Sequence, residues 1–190
     1  MHEQTVDHPF MYTLVAGIWI VFWLSWIVLM FSAKRSTHKV SKNMMIRIVI
    51  IATALIVMRL GHFDSGATLT HNMAVRVVGT TMVILGLGFA VWARVHIGRN
   101  WSMPKATVED RDLVTSGPYH YVRHPIYSGL LLALVGTVMS IGWYIAIILV
   151  VFGSYFVSSA LTEEHMLARE FPKAYPAYRA KTKMLIPFIW

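Results

Sequence analysis

The chain has 190 residues, of which 56% are hydrophobic and 14% charged, and its formal net charge is +8. A soluble domain carries about a quarter charged residues, and one water-soluble core of this size cannot hide so much apolar surface, so the composition is that of an integral membrane protein. No cysteine is present, which excludes disulfides, thiolate metal sites and cysteine nucleophiles; the basic residues flank apolar runs, as topology requires of a membrane protein, which argues against a nucleic-acid partner.

Met1 to Pro9 contains Glu3 and Asp7 but no Lys or Arg, so the basic start of a signal peptide is missing. Phe10 to Phe31 is long and apolar enough to span, and its Trp19, Trp23 and Trp26 are ordinary lipid-facing or interfacial aromatics. A basic loop follows, with Lys34, Arg35, Lys39 and Lys42, and Arg47 just beyond it. Met44 to Leu60 is a second, shorter span, and the polar loop Gly61 to His71 carries His62, Asp64 and His71. Their spacing matches no standard metal set, so solvated side chains and no metal are expected. Ala74 to Val95 is the third span, and Gly79, Gly86 and Gly88 along it suggest close helix packing. Ile126 to Ser140 and Ile141 to Leu161, with Gly142 at the turn, read as a helical hairpin. The tail, Thr162 to Trp190, is mixed in charge and ends on an apolar stretch suited to the interface. The expected fold is all-α and polytopic, with about five spans and no internal repeat. It forms one domain, residues 1–93 contributing the N-terminal helices and residues 94–190 the functional core.

Orientation follows from Lys and Arg. Five lie at residues 34–47, five at 94–123 and five at 169–183, leaving only Arg59 and Arg76 beside the remaining loop. Five spans with the N-terminus outside place those three groups on the cytoplasmic side. The long loop and the tail then share one face, where a site can draw on both.

The loop from Leu113 to Gly129 concentrates Tyr, His, Arg and Pro where a helix enters the bilayer. Pro125 suits the first position of a helix, because its missing N–H would be an orphan there. The N–H groups after it suit a carboxylate or phosphate, with Arg123 assisting, unless the triplet is a plain helix start with an interfacial Arg. Gly117-Pro118-Tyr119 is a turn that presents an aromatic. Tyr119, Tyr121 and Tyr127 near His124 either stack on a flat group such as a nucleobase or form an aromatic belt. Glu163 and Glu164 are expected at the end of the fifth helix, where carboxylates oppose the dipole and lie in the headgroup region. A binding role for an amine or ribose hydroxyls therefore stands beside the plain reading of two solvated acids. The aromatics of Phe171, Tyr175 and Tyr178 can pack the tail back onto the loop.

Leu113-Val114-Thr-Ser-Gly-Pro-Tyr119, then Arg123-His124-Pro125-x-Tyr127-x-Gly129, resembles the core of the isoprenylcysteine carboxyl methyltransferase family. Glu163-Glu164, the later Phe171, Tyr175 and Tyr178, and Gly98-Arg99-Asn100-Trp101-Ser102 extend the resemblance over roughly residues 94–190. It implies an integral membrane methyltransferase that uses S-adenosylmethionine and releases S-adenosylhomocysteine. Carried over by position, Leu113, Val114, Tyr119, His124, Pro125, Tyr127 and Glu163 are the expected cofactor contacts. Glu163, Glu164 and Arg123 are expected to carry the chemistry, and Ser159, Arg99 and Trp101 to meet the substrate. Relatives that methylate a prenylcysteine carboxylate usually have an Arg one helical turn before the first Glu, where this chain has Ser159; Arg94, Arg99 or Arg179 can replace it only from elsewhere.

The resemblance implies a lipophilic acceptor, foremost a carboxylate of an isoprenylcysteine-like molecule, entering from lipid while the donor comes from water. A carboxylate acceptor needs no general base; an amine does, and Glu163, Glu164 or His124 can serve. The alternatives are a phospholipid or amine N-methyltransferase of the same superfamily and a non-catalytic scaffold or heme-handling protein. A sterol-type reductase shares a similar box but needs more spans. The short N-terminal half is that expected of a prokaryotic plasma-membrane protein.

Overall fold

The computed structural model describes residues 7–30, 72–98, 112–187 and 189. Five α-helices occur among them: α1 Asp7–Met30, α2 Met73–Ile97, α3 Pro125–Ile141, α4 Ala146–Glu170 and α5 Ala174–Lys181. No strand is formed among the described residues; one isolated parallel bridge joins Val122 to Lys183. The expected second span, its basic loop, and His62, Asp64, His71, Arg99 and Trp101 lie outside the described residues.

The expected fifth span is corrected at both ends: Ile141 closes α3, a short 3-10 turn occupies Trp143–Ile145, and α4 begins at Ala146 and runs on to Glu170, because backbone bonding continues after hydropathy falls at Leu161. α1, α2 and α4 are long and apolar enough to cross a membrane, and the chain is an all-α, polytopic integral membrane protein. α3 has 17 residues, about 25 Å at 1.5 Å per residue, and is the shortest of the apolar helices. Asn72 caps α2 by accepting from the Ala74 amide at 2.9 Å, which satisfies one orphan donor of its first turn.

The frame is the antiparallel pair of α2 and α3. A methyl group on Gly86 would lie 2.5 Å from the Gly129 carbonyl oxygen, and one on Gly136 would lie 2.4 Å from that of Gly79. Only hydrogen at these positions permits so close an approach, and close approach is what drives helix association in lipid. Gly88 corrects the sequence expectation: nothing lies within 4 Å of it, so it takes no part in this packing.

α1 adds to the frame through Val15 and Phe22. Trp19 donates to the Thr137 hydroxyl at 3.1 Å. At the other end, the fully buried Arg94 donates to the carbonyls of Leu29 at 2.5 Å and Gly98 at 3.0 Å. It thus ties together the C-termini of two parallel helices. Most of the outer faces of α1 and α4 remain apolar and exposed, including Val21, Leu24, Ile147 and Val150, as lipid-facing surfaces should.

Candidate functional site

The site forms where the loop, the end of α4 and the tail meet. Gly117 opens the turn with φ of +58°, a conformation that favours glycine. The His96 ring lies beneath it: a methyl group there would be 2.6 Å from the imidazole. His96 also bonds the Ser116 hydroxyl at 2.9 Å, fastening the turn to the end of α2. Tyr119 then points inward and is buried, whereas Tyr121 is exposed. Leu113 and Val114 are half-buried in the segment leading to the turn and enter none of the site's hydrogen bonds.

Pro125 begins α3 with His124 at the N-cap, as its residue type predicts. The amides just before it are already satisfied. Arg123 N–H donates to the Lys183 carbonyl at 2.8 Å and His124 N–H to that of Met184 at 3.1 Å. The Ser128 hydroxyl reaches the Leu185 carbonyl. The tail thus lies against the loop as a strap, and it takes up the two amides that precede Pro125. Arg123, expected to assist an anion, faces elsewhere: it donates through Nε to Glu164 Oε1 at 2.6 Å and through a terminal nitrogen to the Thr182 carbonyl.

The Glu pair does not end its helix. α4 continues to Glu170, about two turns past Glu163, so the argument from an opposed helix dipole does not apply. Adjacent positions on a helix point about 100° apart, and the two carboxylates separate accordingly. Glu164 turns inward, with Arg123 Nε at 2.6 Å, Arg179 Nε at 3.6 Å and His124 Nε2 at 3.7 Å; the Arg123 and Glu164 side chains are 8% and 7% exposed. Glu163 is more open, its side chain 24% exposed, and lies 3.4 Å from His124 Nδ1. The Tyr127 hydroxyl donates to Glu163 at 2.6 Å.

Beside this carboxylate three rings stack. His124 and Tyr127 lie 5.8 Å apart at 14°, and Tyr127 and Phe156 5.2 Å apart at 16°. Burial, the largest influence on His124, opposes its charged form, but Glu163 and Glu164 outweigh it and raise its pKa above the usual histidine range. Burial first, then the Glu164 charge, pushes the Tyr175 phenol up to about 12; burial raises Tyr178 as well. Tyr178 therefore remains a donor, and its hydroxyl bonds the Tyr119 carbonyl at 2.6 Å. The expected packing of tail aromatics onto the loop is present.

Of the residues singled out from sequence, the structure gathers Arg123, His124, Tyr127, Glu163 and Glu164 into one cluster. Pro125, fully buried, starts α3 beside the cluster, and Tyr119 lies in the adjoining turn. Ser159 is buried on α4 next to Ala160, which packs against Met184 and Leu185. Arg94 does not replace the missing substrate Arg, since it holds the ends of α1 and α2; Arg179 leans on Glu164. Phe156 was missed, although its spacing from Ser159 and Glu163 places it on their helix face. The carbonyls of Thr182, Lys183 and Met184 were missed because main-chain acceptors leave no signal in residue type.

An all-helical membrane protein with a polar cluster at one end of its bundle is the class defined so far. A profile of the phospholipid methyltransferase family matches residues 74–174, more than half of the chain, and the chain belongs to that family. It is 37% identical over 101 residues to the protein-S-isoprenylcysteine O-methyltransferase of Schizosaccharomyces pombe, covering 51% of this chain and 43% of the relative. Against the Arabidopsis thaliana protein-S-isoprenylcysteine O-methyltransferase B it is 34% identical over 115 residues, 58% of each chain. It is also 31% identical over 147 residues to the nickel-cobalt-cadmium resistance protein NccN of Alcaligenes xylosoxydans xylosoxydans, covering 73% of this chain and 62% of the relative. The chain spans about half the length of the curated relatives it matches. The solved structure of a eukaryotic intramembrane Ras methyltransferase, an isoprenylcysteine carboxyl methyltransferase, shares its fold with a TM-score of 0.61 at 22% identity, over 80% of this chain and 55% of that one. The resemblance read from the loop is thus met in relatives and fold alike.

Proposed function

We propose that the protein is a membrane methyltransferase that uses S-adenosylmethionine and methylates the carboxylate of an isoprenylcysteine-like lipophile. The observation that carries this is the Glu163 carboxylate, partly open and held by Tyr127 at 2.6 Å beside three stacked rings. These groups suit the donor chemically: a carboxylate for an ammonium or ribose hydroxyls, and aromatic faces for an adenine. Glu163, Tyr127, His124 and Tyr119 would hold it, with Leu113, Val114 and Pro125 at the margins. When bound, S-adenosylmethionine supplies an electrophilic methyl group on a sulfonium.

The chain's own residues position and desolvate. Tyr127 fixes the Glu163 carboxylate, and Phe156 stacks on the far side of the Tyr127 ring and holds it in place. Arg123 and Glu164 satisfy each other and brace the strap, so we assign them to positioning and not to proton transfer. A carboxylate acceptor needs no base, which agrees with that assignment. Ser159, Arg99 and Trp101 remain candidates to meet the acceptor. Relatives named as isoprenylcysteine O-methyltransferases support this acceptor over a phospholipid, an amine or a scaffold role. We take the N-terminus as outside and the site as cytoplasmic on the distribution of Lys and Arg, and residues 1–190 as one domain.

Calorimetry of the purified protein with S-adenosylhomocysteine tests the reading: binding is expected, and none at millimolar ligand would overturn it. Tyr127→Ala and Glu163→Ala should each weaken that binding; unchanged affinity in both removes the site assignment. With a labelled donor and a prenylcysteine analogue, the product should release methanol in base, as an ester does and an N-methyl group does not.

A further inference from the structure

The strap has an outer side. Residues 169–183 carry Arg169, Lys173, Arg179, Lys181 and Lys183 against one acid, Glu170. All five cationic residues are exposed, while Tyr175 and Tyr178 of α5 are buried in the protein. An amphipathic helix at a bilayer surface ordinarily turns its apolar face to lipid. Here the aromatic face is turned into the protein, and the outside of α5 carries small residues, Ala174, Pro176, Ala177 and Ala180, with Arg179 and Lys181, while Arg169, Lys173 and Lys183 flank it. Lys173, Lys181 and Lys183 enter no ion pair among the described residues.

This segment continues from the polar end of α4, a helix long and apolar enough to cross a membrane, and basic residues following a span sit near the bilayer surface. Ile186 and Ile189 follow it, 48% and 74% exposed. Basic side chains beside exposed apolar ones at this depth complement anionic headgroups. Topology alone accounts for positive charge at this end of the bundle. It does not account for the residues' second contact. The carbonyls of Arg179, Thr182, Lys183 and Met184 receive the Arg123 side chain and the amides of Arg123 and His124. The same short segment therefore faces the surface by its side chains and the site by its main chain.

We propose that residues 169–183 bind anionic phospholipid headgroups of the surrounding bilayer, and that this binding tightens the strap on Arg123 and His124. The proposal rests on the membrane-spanning architecture and the strap, not on methyl transfer, so it stands or falls separately from the activity. The reporters are the Arg123 and His124 amides, followed by hydrogen–deuterium exchange of the full chain in nanodiscs. Nanodiscs containing phosphatidylglycerol should slow their exchange about fivefold relative to phosphatidylcholine alone, the effect of about one basic residue at a charged surface. High salt should shrink the difference. The variant Lys173→Gln/Lys181→Gln/Lys183→Gln keeps every main-chain acceptor; it should exchange like the wild type in phosphatidylcholine and gain clearly less than the wild type from phosphatidylglycerol. Equal exchange of the wild type in the two lipids overturns the proposal, and so does a lipid effect that is undiminished by high salt or in the triple variant. Should the variant not fold, the wild-type lipid and salt comparisons decide alone.

Discussion

Glu163 and Glu164 are neighbours with different surroundings, and that difference separates their expected roles. Glu164 is closed in by Arg123, His124 and Arg179. Removing one partner of a buried ion pair leaves the other uncompensated, at a cost of about 3–5 kcal/mol. Glu164→Gln should therefore lower thermal stability strongly, whereas Glu163→Gln, at the more open carboxylate, should lower ligand affinity with a smaller loss of stability; differential scanning fluorimetry and calorimetry on the two variants separate the effects. His124 adds a pH dependence. Its two carboxylate neighbours raise its folded pKa above the ordinary 6.5. The native state thus binds this proton more tightly than the unfolded chain. That stabilisation is fully present below pH 6.5 and is lost as pH rises through the raised folded value. The melting temperature should accordingly fall as pH rises above 6.5 and through the raised folded value, and His124→Gln should flatten the profile.

Between elements, the α2–α3 contact sets how close the site's two ends of chain can come. A side chain on Gly86 would meet Gly129 carbonyl oxygen at 2.5 Å and the Ala133 amide at 2.7 Å, both backbone atoms that cannot swing aside. Gly86→Val should destabilise by about 1–3 kcal/mol or more, the range of overpacked cores. Gly88, two residues on, faces open space; Gly88→Ala should be neutral or stabilise by up to about 1 kcal/mol through helix propensity. Thermal unfolding of the two variants in the same detergent makes the comparison. The glycine spacing was visible in the sequence, but which glycines touch a neighbour was not. Helix rotation is fixed by packing partners, and Gly79, Gly86 and Gly88 look alike until α3 is in place.

In the whole molecule, the strap joins three parts of the chain. Residues 182–185 receive hydrogen bonds from Arg123, His124 and Ser128, and Met184 and Leu185 cover Ala160 on α4. Truncation after Lys181 should therefore abolish S-adenosylhomocysteine binding while the protein still inserts into membranes, since no spanning helix is lost. Calorimetry alongside alkaline extraction of membranes reads both halves of that expectation.

The sequence by itself determined the apolar runs of α1, α2, α3 and α4, the helix start at Pro125, the turn at Gly117 and the residue types of the site. These are local properties: hydropathy, fixed φ and a missing N–H act within a few residues. The tail aromatics were legible as packing groups for the same reason. Tertiary structure alone decided that Arg123 serves Glu164 and the tail, that Arg94 belongs to the ends of α1 and α2, that Phe156 completes the ring stack, and that α4 carries the Glu pair inside its length. Each depends on which atoms meet across tens of residues, Arg123 and Glu164 being 41 apart. A side chain's charge states what it needs; only the packed chain supplies the partner, and in this protein much of that supply is main-chain carbonyls that no residue type announces.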